Sequence, residues 1–161
     1  MKVTMKKKDI QDFWRGLNVV AQGDHNRLFA YAIGRNLQKL RPIIRLLEVE
    51  TKPLESFERS SMALARLMAK RDEKGNPVQI PGNVGLAIDD PPAFQEKLEA
   101  IRESTGQKKR DEEVAQLLES EEEIDIYMID FERVPETMKG AVFETLMPMI
   151  REPNESEKSE E

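Results

Sequence analysis

Five carboxylates crowd one short stretch: Glu119, Glu121, Glu122, Glu123 and Asp125. Such groups act as general acids, general bases or cation ligands when a cleft shifts their pKa values or gathers them around an ion. Adjacent acids at a helix end are ordinarily a solvated surface. They also oppose the dipole of a helix C-terminus, so this stretch is expected to fray or turn. Asp72 to Asn83 has the outline of a calcium loop. It lacks the alternating acids and the closing glutamate that such a loop needs, and a tight turn explains its residues.

The remaining chemistry is sparse. The chain has no cysteine and a single histidine, His25. Disulfides, Cys-based zinc sites, His-pair metal sites and mechanisms with two imidazoles are thereby excluded. His25 follows Asp24 at an expected helix start, which disfavours an imidazolium and suits a neutral capping or surface role. Ser60 and Ser61 have no base at helical spacing. Neither a phosphate-binding glycine loop nor a dinucleotide fingerprint occurs. No catalytic residue, metal ligand or cofactor is assigned.

Two basic triplets, Lys6-Lys7-Lys8 and Lys108-Lys109-Arg110, each lie beside acids. Neither has aromatic neighbours on which bases could stack. Nucleic acid is not an expected partner, and solvated strand-edge and helix-surface charges account for both triplets. Trp14, the only tryptophan, falls on an apolar helix face. Core packing is its plain reading, and an anchor for a protein partner is the sharper one.

The elements that carry these residues read as mainly helical. Val3 and Met5 share one face of a short strand over residues 2–6. Asp9 is placed to cap a helix with Ile10, Phe13, Trp14, Leu17 and Ala21 on one face, ending near Gly23. Gly16 weakens that helix slightly. Asp24 is placed to cap a long helical region reaching about Arg71. Within it Ile33, Leu40, Leu47 and Leu54 lie seven apart, with Leu37 and Ile44 between them, which is a coiled-coil seam. A bend or break is expected at Pro42 or Pro53. The seam makes Leu40, Leu47 and Leu54, with Trp14, the candidate partner-binding residues. It also makes a homodimer or higher oligomer the expected state.

Residues 72–77 form a strong turn, and Val78 to Ile88 reads as a loop with one short strand. Asp89 or Asp90 is placed to cap a third helix entered through Pro91 and Pro92. Phe94, Leu98 and Ile101 give its apolar face, Gly106 interrupts it, and Val114, Leu117 and Leu118 resume it. The expected fold is a long antiparallel helical hairpin in which this helix folds back on the long one. Ile124 to Phe131 is the best strand, and its available partner is residues 2–6, so a two-stranded ribbon with flanking helices closes the base. A final helix starts at Pro135, with Met138, Val142, Leu146, Met149 and Ile150 inward. One domain is expected over 1–151.

The 161 residues carry a net charge of −6, with 35% charged and only 6% aromatic residues. That balance suits solvated helices with an aliphatic and methionine core. Most of the charge lies in residues 152–161, where five glutamates face one lysine, and this segment is expected to be a disordered acidic tail. No run of apolar residues is long enough to span a membrane, and the lysines at the start are not followed by a signal-type apolar core. A cytoplasmic protein without a membrane partner is expected.

Several stretches resemble small proteins encoded in tailed-phage and prophage genomes. They are Lys2 to Lys6, Met68 to Val78, Glu122 to Ile129, Phe131 to Pro135 and Leu146 to Ile150. The resemblance covers most of residues 1–150. It implies a phage or prophage origin, with the host cytoplasm or the virion as the location, and carries over no catalytic or binding residue. The expectation is a non-enzymatic protein-interaction module, a virion assembly factor or small structural component. An inhibitor or adaptor acting on a host protein is the second reading, and a metal-dependent enzyme using the acids of 119–125 is the third.

Overall fold

A computed structural model describes residues 1–152; the expected acidic tail, Glu152 excepted, lies outside the described residues. The structure is mainly helical with a small β element. The described chain divides into two compact units. The first comprises Met1–Glu50 and the described residues from Gln116, and the second is Thr51–Ala115. No described helix is long and apolar enough to cross a membrane.

In the first unit, strand β1 (Lys2–Lys6) runs directly into helix α1 (Lys7–Val20). Lys6 occupies the N-cap without a side-chain cap, so Asp9 lies in the first turn, where its charge suits the dipole. Ile10, Phe13, Leu17 and Val20 recur at three- and four-residue steps and are buried. Helix α2 (Arg27–Glu50) packs on α1. Its cap is Asn26, whose Oδ1 accepts from the Phe29 N–H at 3.0 Å, rather than Asp24. Its buried face is Phe29, Ala32, Ile33, Asn36, Leu40, Ile44 and Leu47.

The expected long helical region is therefore interrupted. α2 passes through Pro42 and stops at Glu50, and α3 (Glu55–Met68) begins after Pro53. A proline pushes the residue before it out of the helical region, so the break falls at Lys52-Pro53. α3, α4 (Pro91–Ser104) and most of α5 (Gln107–Glu119) belong to the second unit. Asp90 caps α4 by accepting from the Ala93 N–H at 3.1 Å, and Pro91 opens the helix. Gly106 separates α4 from α5 with a φ of 78°, a conformation that suits glycine alone at little cost. α3 packs against α4, and its two ends are tied to the segment before α4 and to the start of α5. The Asp89 N–H donates to the Met68 carbonyl, and the Leu54 N–H donates to Gln107 Oε1 at 2.8 Å.

Strand β2 (Glu121–Asp125) follows α5 after a turn at Ser120 and pairs antiparallel with β1. The register sets Lys2 opposite Asp125 and Lys6 opposite Glu121. The partner is the expected one, but the strand starts three residues earlier than Ile124 and does not continue to Phe131. Just beyond it, Asn36 takes up the backbone of Tyr127. The Asn36 amide is buried, accepts from the Tyr127 N–H at 2.7 Å and donates to the Tyr127 carbonyl at 2.9 Å. A side chain thus replaces the ladder at that residue. The bend breaks the alternation: Ile124, Ile126 and Ile129 are all buried, while Tyr127 and Phe131 are exposed.

Strand β3 (Ile129–Asp130) pairs parallel with β4 (Ile150–Arg151). Between them, α6 (Gly140–Leu146) starts later than the expected Pro135. Its spacing survives, since Leu146, Met149 and Ile150 are buried and Met138 and Val142 pack on the core. α6 lies close against α1 at Gly16, where an added Cβ would sit 2.8 Å from the Thr145 Cβ.

Two substitutions test this packing. Gly16→Val is expected to destabilise the protein by about 1–3 kcal/mol through overpacking against Thr145. Asn36→Leu keeps the branching of the side chain, adds some bulk and strands two Tyr127 backbone groups, at a cost of about 2 kcal/mol or more. Urea unfolding followed by circular dichroism measures both, and an unchanged midpoint for either would contradict the corresponding contact.

Candidate functional site

The acidic run lies along the ribbon, each charge set by where β2 places it. Glu119, the last residue of α5, accepts from Lys6 Nζ at 2.9 Å and from Lys8 Nζ. The hydrogen bonds from Lys8 and then Lys6 hold its carboxyl down at about 2. Lys6 is raised in return, chiefly by the same hydrogen bond. Glu123 pairs with Lys2 at 2.6 Å across the ladder. Asp125 accepts from Lys39 on α2 at 2.7 Å and from the Met1 amino group at 2.9 Å. These bonds, that of Lys39 foremost, hold it at about 2. Glu121 and Glu122 stand opposite Lys6 and Met5 in the register. The lowered carboxyls are bases too weak to take a proton near neutral pH. Among the described residues, no group of three or more His, Asp or Glu side chains is gathered to hold a metal ion.

The other chemical candidates are placed as local structure. Asp72 Oδ1 accepts from the Lys74 and Asn76 N–H groups, which closes the turn around Gly75. Of the second basic triplet, Lys108 reaches Glu103 at 3.4 Å and Arg110 reaches Glu113 at 3.9 Å. His25 Nε2 lies 2.6 Å from the Val20 carbonyl at the end of α1, and the ring packs edge-on to Phe29 at 5.1 Å. Ser61 donates to the Glu58 carbonyl one turn back.

The residues picked for partner binding separate. Leu40 and Leu47 are each 1% exposed and belong to the core of the first unit. The seam that motivated a homodimer is covered here by the chain's own residues, so these two leucines have no free face. Their spacing was right; the surface that covers them is internal. Trp14 is half-buried against the same core. Leu54 is half-buried at the N-cap of α3. The structure does not bring the four together on one surface.

An apolar surface appears instead in the second unit. The contiguous core of sixteen buried apolar residues lies wholly in the first unit. In the second, Leu64 and Ala69 are the buried apolar residues and Gln107 the buried polar one. Between α3, α4 and the arm of residues 77–86 lies an open groove of about 1240 Å³. Phe57, Ala65, Leu86, Phe94 and Leu98 line it, with Met62 and Val84 at exposed positions of 56% and 95%.

The arm is held by nested backbone bonds, Val78 N–H to the Lys70 carbonyl and Ala87 N–H to the Val78 carbonyl, both near the end of α3. Three arginines border the groove. Arg102 lies over the Phe57 ring at 5.4 Å and is fixed by Asp111 at 2.7 Å. Arg71 donates to the Gly75 and Arg66 carbonyls, and Arg66 to Met62 Sδ. Neither Arg66 nor Arg71 has a carboxylate partner among the described residues.

Sequence reasoning missed this groove because it placed Phe94 and Leu98 on the apolar face of a helix folded back on the long one. The available signal was the apolar content of the loop: Val78, Ile80, Val84, Leu86 and Ile88. Comparison with protein-family models, with curated proteins and with solved structures finds no match for this chain.

The ribbon acids predict an acid-sensitive fold. A carboxyl whose folded pKa lies below its unfolded value stabilises the fold above the unfolded value. That contribution is lost as pH falls towards the folded one. For Glu119 and Asp125 the window runs from the ordinary values of 4.5 and 3.8 down to about 2. The melting temperature is expected to fall through this window. Glu119→Gln should melt lower at pH 7 and fall less on acidification; parallel curves for the two proteins would refute the ion-pair assignment.

Proposed function

We propose that this chain is a non-enzymatic protein-interaction module of phage or prophage origin, a virion assembly factor or small structural component. The observation that carries the reading is the apolar groove of the second unit. Its helices leave Phe57, Phe94 and Leu98 only half-buried, and Met62 and Val84 exposed. Apolar surface left uncovered beside polar rims is the mark of a docking surface. Three acids at the ribbon support the same reading, because Glu119, Glu123 and Asp125 are paired with lysines of the same chain. The proposal keeps the long antiparallel hairpin, with the ribbon at its base, as the architecture that would present this surface. It places the protein in the host cytoplasm during assembly.

The expected result is co-purification with capsid, portal or tail proteins from infected cells. A Met62→Asp, Leu98→Asp double variant that retains its helical circular dichroism should lose at least about tenfold of that association, since it puts charges where apolar contact is needed. Absence of the protein from both assembly intermediates and virions would overturn the proposal, as would full retention by the double variant.

A further inference from the structure

The groove has a composition that selects its occupant. Its floor is aromatic and aliphatic, which argues against a bare polyanion such as nucleic acid, whose recognition needs many phosphate contacts. Its rim carries Arg66, Arg71 and Arg102 with one lining carboxylate, Glu58, and Arg102 is already paired with Asp111 and Glu99, so the excess positive charge sits at Arg66 and Arg71. The cations of the ribbon at Lys2, Lys6, Lys8 and Lys39 are each matched by a carboxylate. Among the described residues, Arg66 and Arg71 are not. There their guanidinium groups meet a thioether and backbone carbonyls, which supply no counter-charge. A guanidinium beside apolar surface binds a carboxylate through paired N–H donors.

The walls specify the shape. α3 and α4 are each 14 residues long and lie side by side. Packed helices leave a valley between them that a third helix fills at 8–10 Å spacing, with its apolar residues at i, i+3, i+4 and i+7. Such a helix would cover the half-buried Phe57, Phe94 and Leu98 and bring its polar flank to the arginines.

We propose that the groove between α3, α4 and the 77–86 arm binds an acidic amphipathic helix of a partner protein. The helix's apolar face lies on Phe57, Phe94 and Leu98, and its carboxylates pair with Arg66 and Arg71. This rests on the interaction reading above and names the chemistry of the partner that reading leaves open.

Fluorescence anisotropy with the full chain and two labelled 15-residue helical probe peptides tests it. Both carry leucine at i, i+3, i+4, i+7 and i+11; one has glutamate and the other lysine at the flanking positions. The glutamate peptide is expected to bind about tenfold or more tightly than the lysine peptide, and more weakly at high salt. Arg66→Glu with Arg71→Glu should reverse the preference, while Lys97→Glu on α4 leaves it unchanged.

Equal or tighter binding of the lysine peptide overturns the acidic partner. So does tighter binding of a labelled oligonucleotide. Binding of neither peptide also overturns it, and the interaction reading then stands or falls separately on the Met62→Asp, Leu98→Asp co-purification. A mass near twice 18.5 kDa by light scattering, returned to 18.5 kDa by that double variant, would make a second copy the occupant and defeat the proposal.

Discussion

The bidentate contact between the Asn36 amide and the backbone of Tyr127 organises the first unit. An amide side chain buried on a helix must find both a donor and an acceptor, because leaving either unmet costs more than the bond returns. Here both come from one residue of a strand far along the chain. The contact ties the middle of α2 to the end of the ribbon, just beyond the β1–β2 ladder. It also turns the chain so that Ile126 and Ile129 both enter the core. With Ile129 redirected, β3 is in place to pair with β4, which holds Met149 and Ile150 against α2 and α1. Gly16 completes the arrangement by letting α6 approach α1.

Around that core, electrostatics is mostly local bookkeeping between sequence-distant neighbours. Register, rather than affinity, decides the pairs: β1 and β2 run antiparallel, so the lysines near one end of the chain meet the acids of 119–125. Exposed ion pairs of this kind contribute little individually, and as a set they favour this register over a slipped one. They also explain how Glu119 and Asp125, two members of a chemically suggestive run, become counter-ions held ionised down to low pH.

The two units differ in how they are stabilised. The first closes its apolar surface on itself. The second buries little, and holds its shape through caps, the Leu54–Gln107 bond, the Arg102–Asp111 pair and the nested bonds of the 69–88 arm. A small unit exposes a large share of its surface, so such polar ties matter more there. The same shortage of burial leaves its apolar residues available, and it makes the groove the feature of the molecule most in need of an occupant.

Much of the local structure was legible in the residues. Three- and four-residue spacing marked α1, α2 and the inner face of α6. Asp90 with Pro91, Gly106, and Pro53 marked one helix start and two interruptions. That residues 2–6 pair with a strand near residue 124 followed from the need of a lone strand for a partner, although the paired strand is the acidic Glu121–Asp125 rather than Ile124 to Phe131. What the residues alone did not disclose was which surface covers which stripe. A heptad of leucines looks the same whether it meets a second chain or the chain's own core, and the structure assigns Leu40 and Leu47 to the latter. Asn36 reads as an ordinary polar helix residue until Tyr127 is brought to it. The groove of the second unit is likewise absent from any local pattern, since Phe57, Arg71, Leu86 and Phe94 are separated in the chain. Periodicity records that a face is apolar, because that depends on the residue's own neighbours along a helix or strand. Its partner depends on contacts between distant segments, and those exist only once the chain has folded.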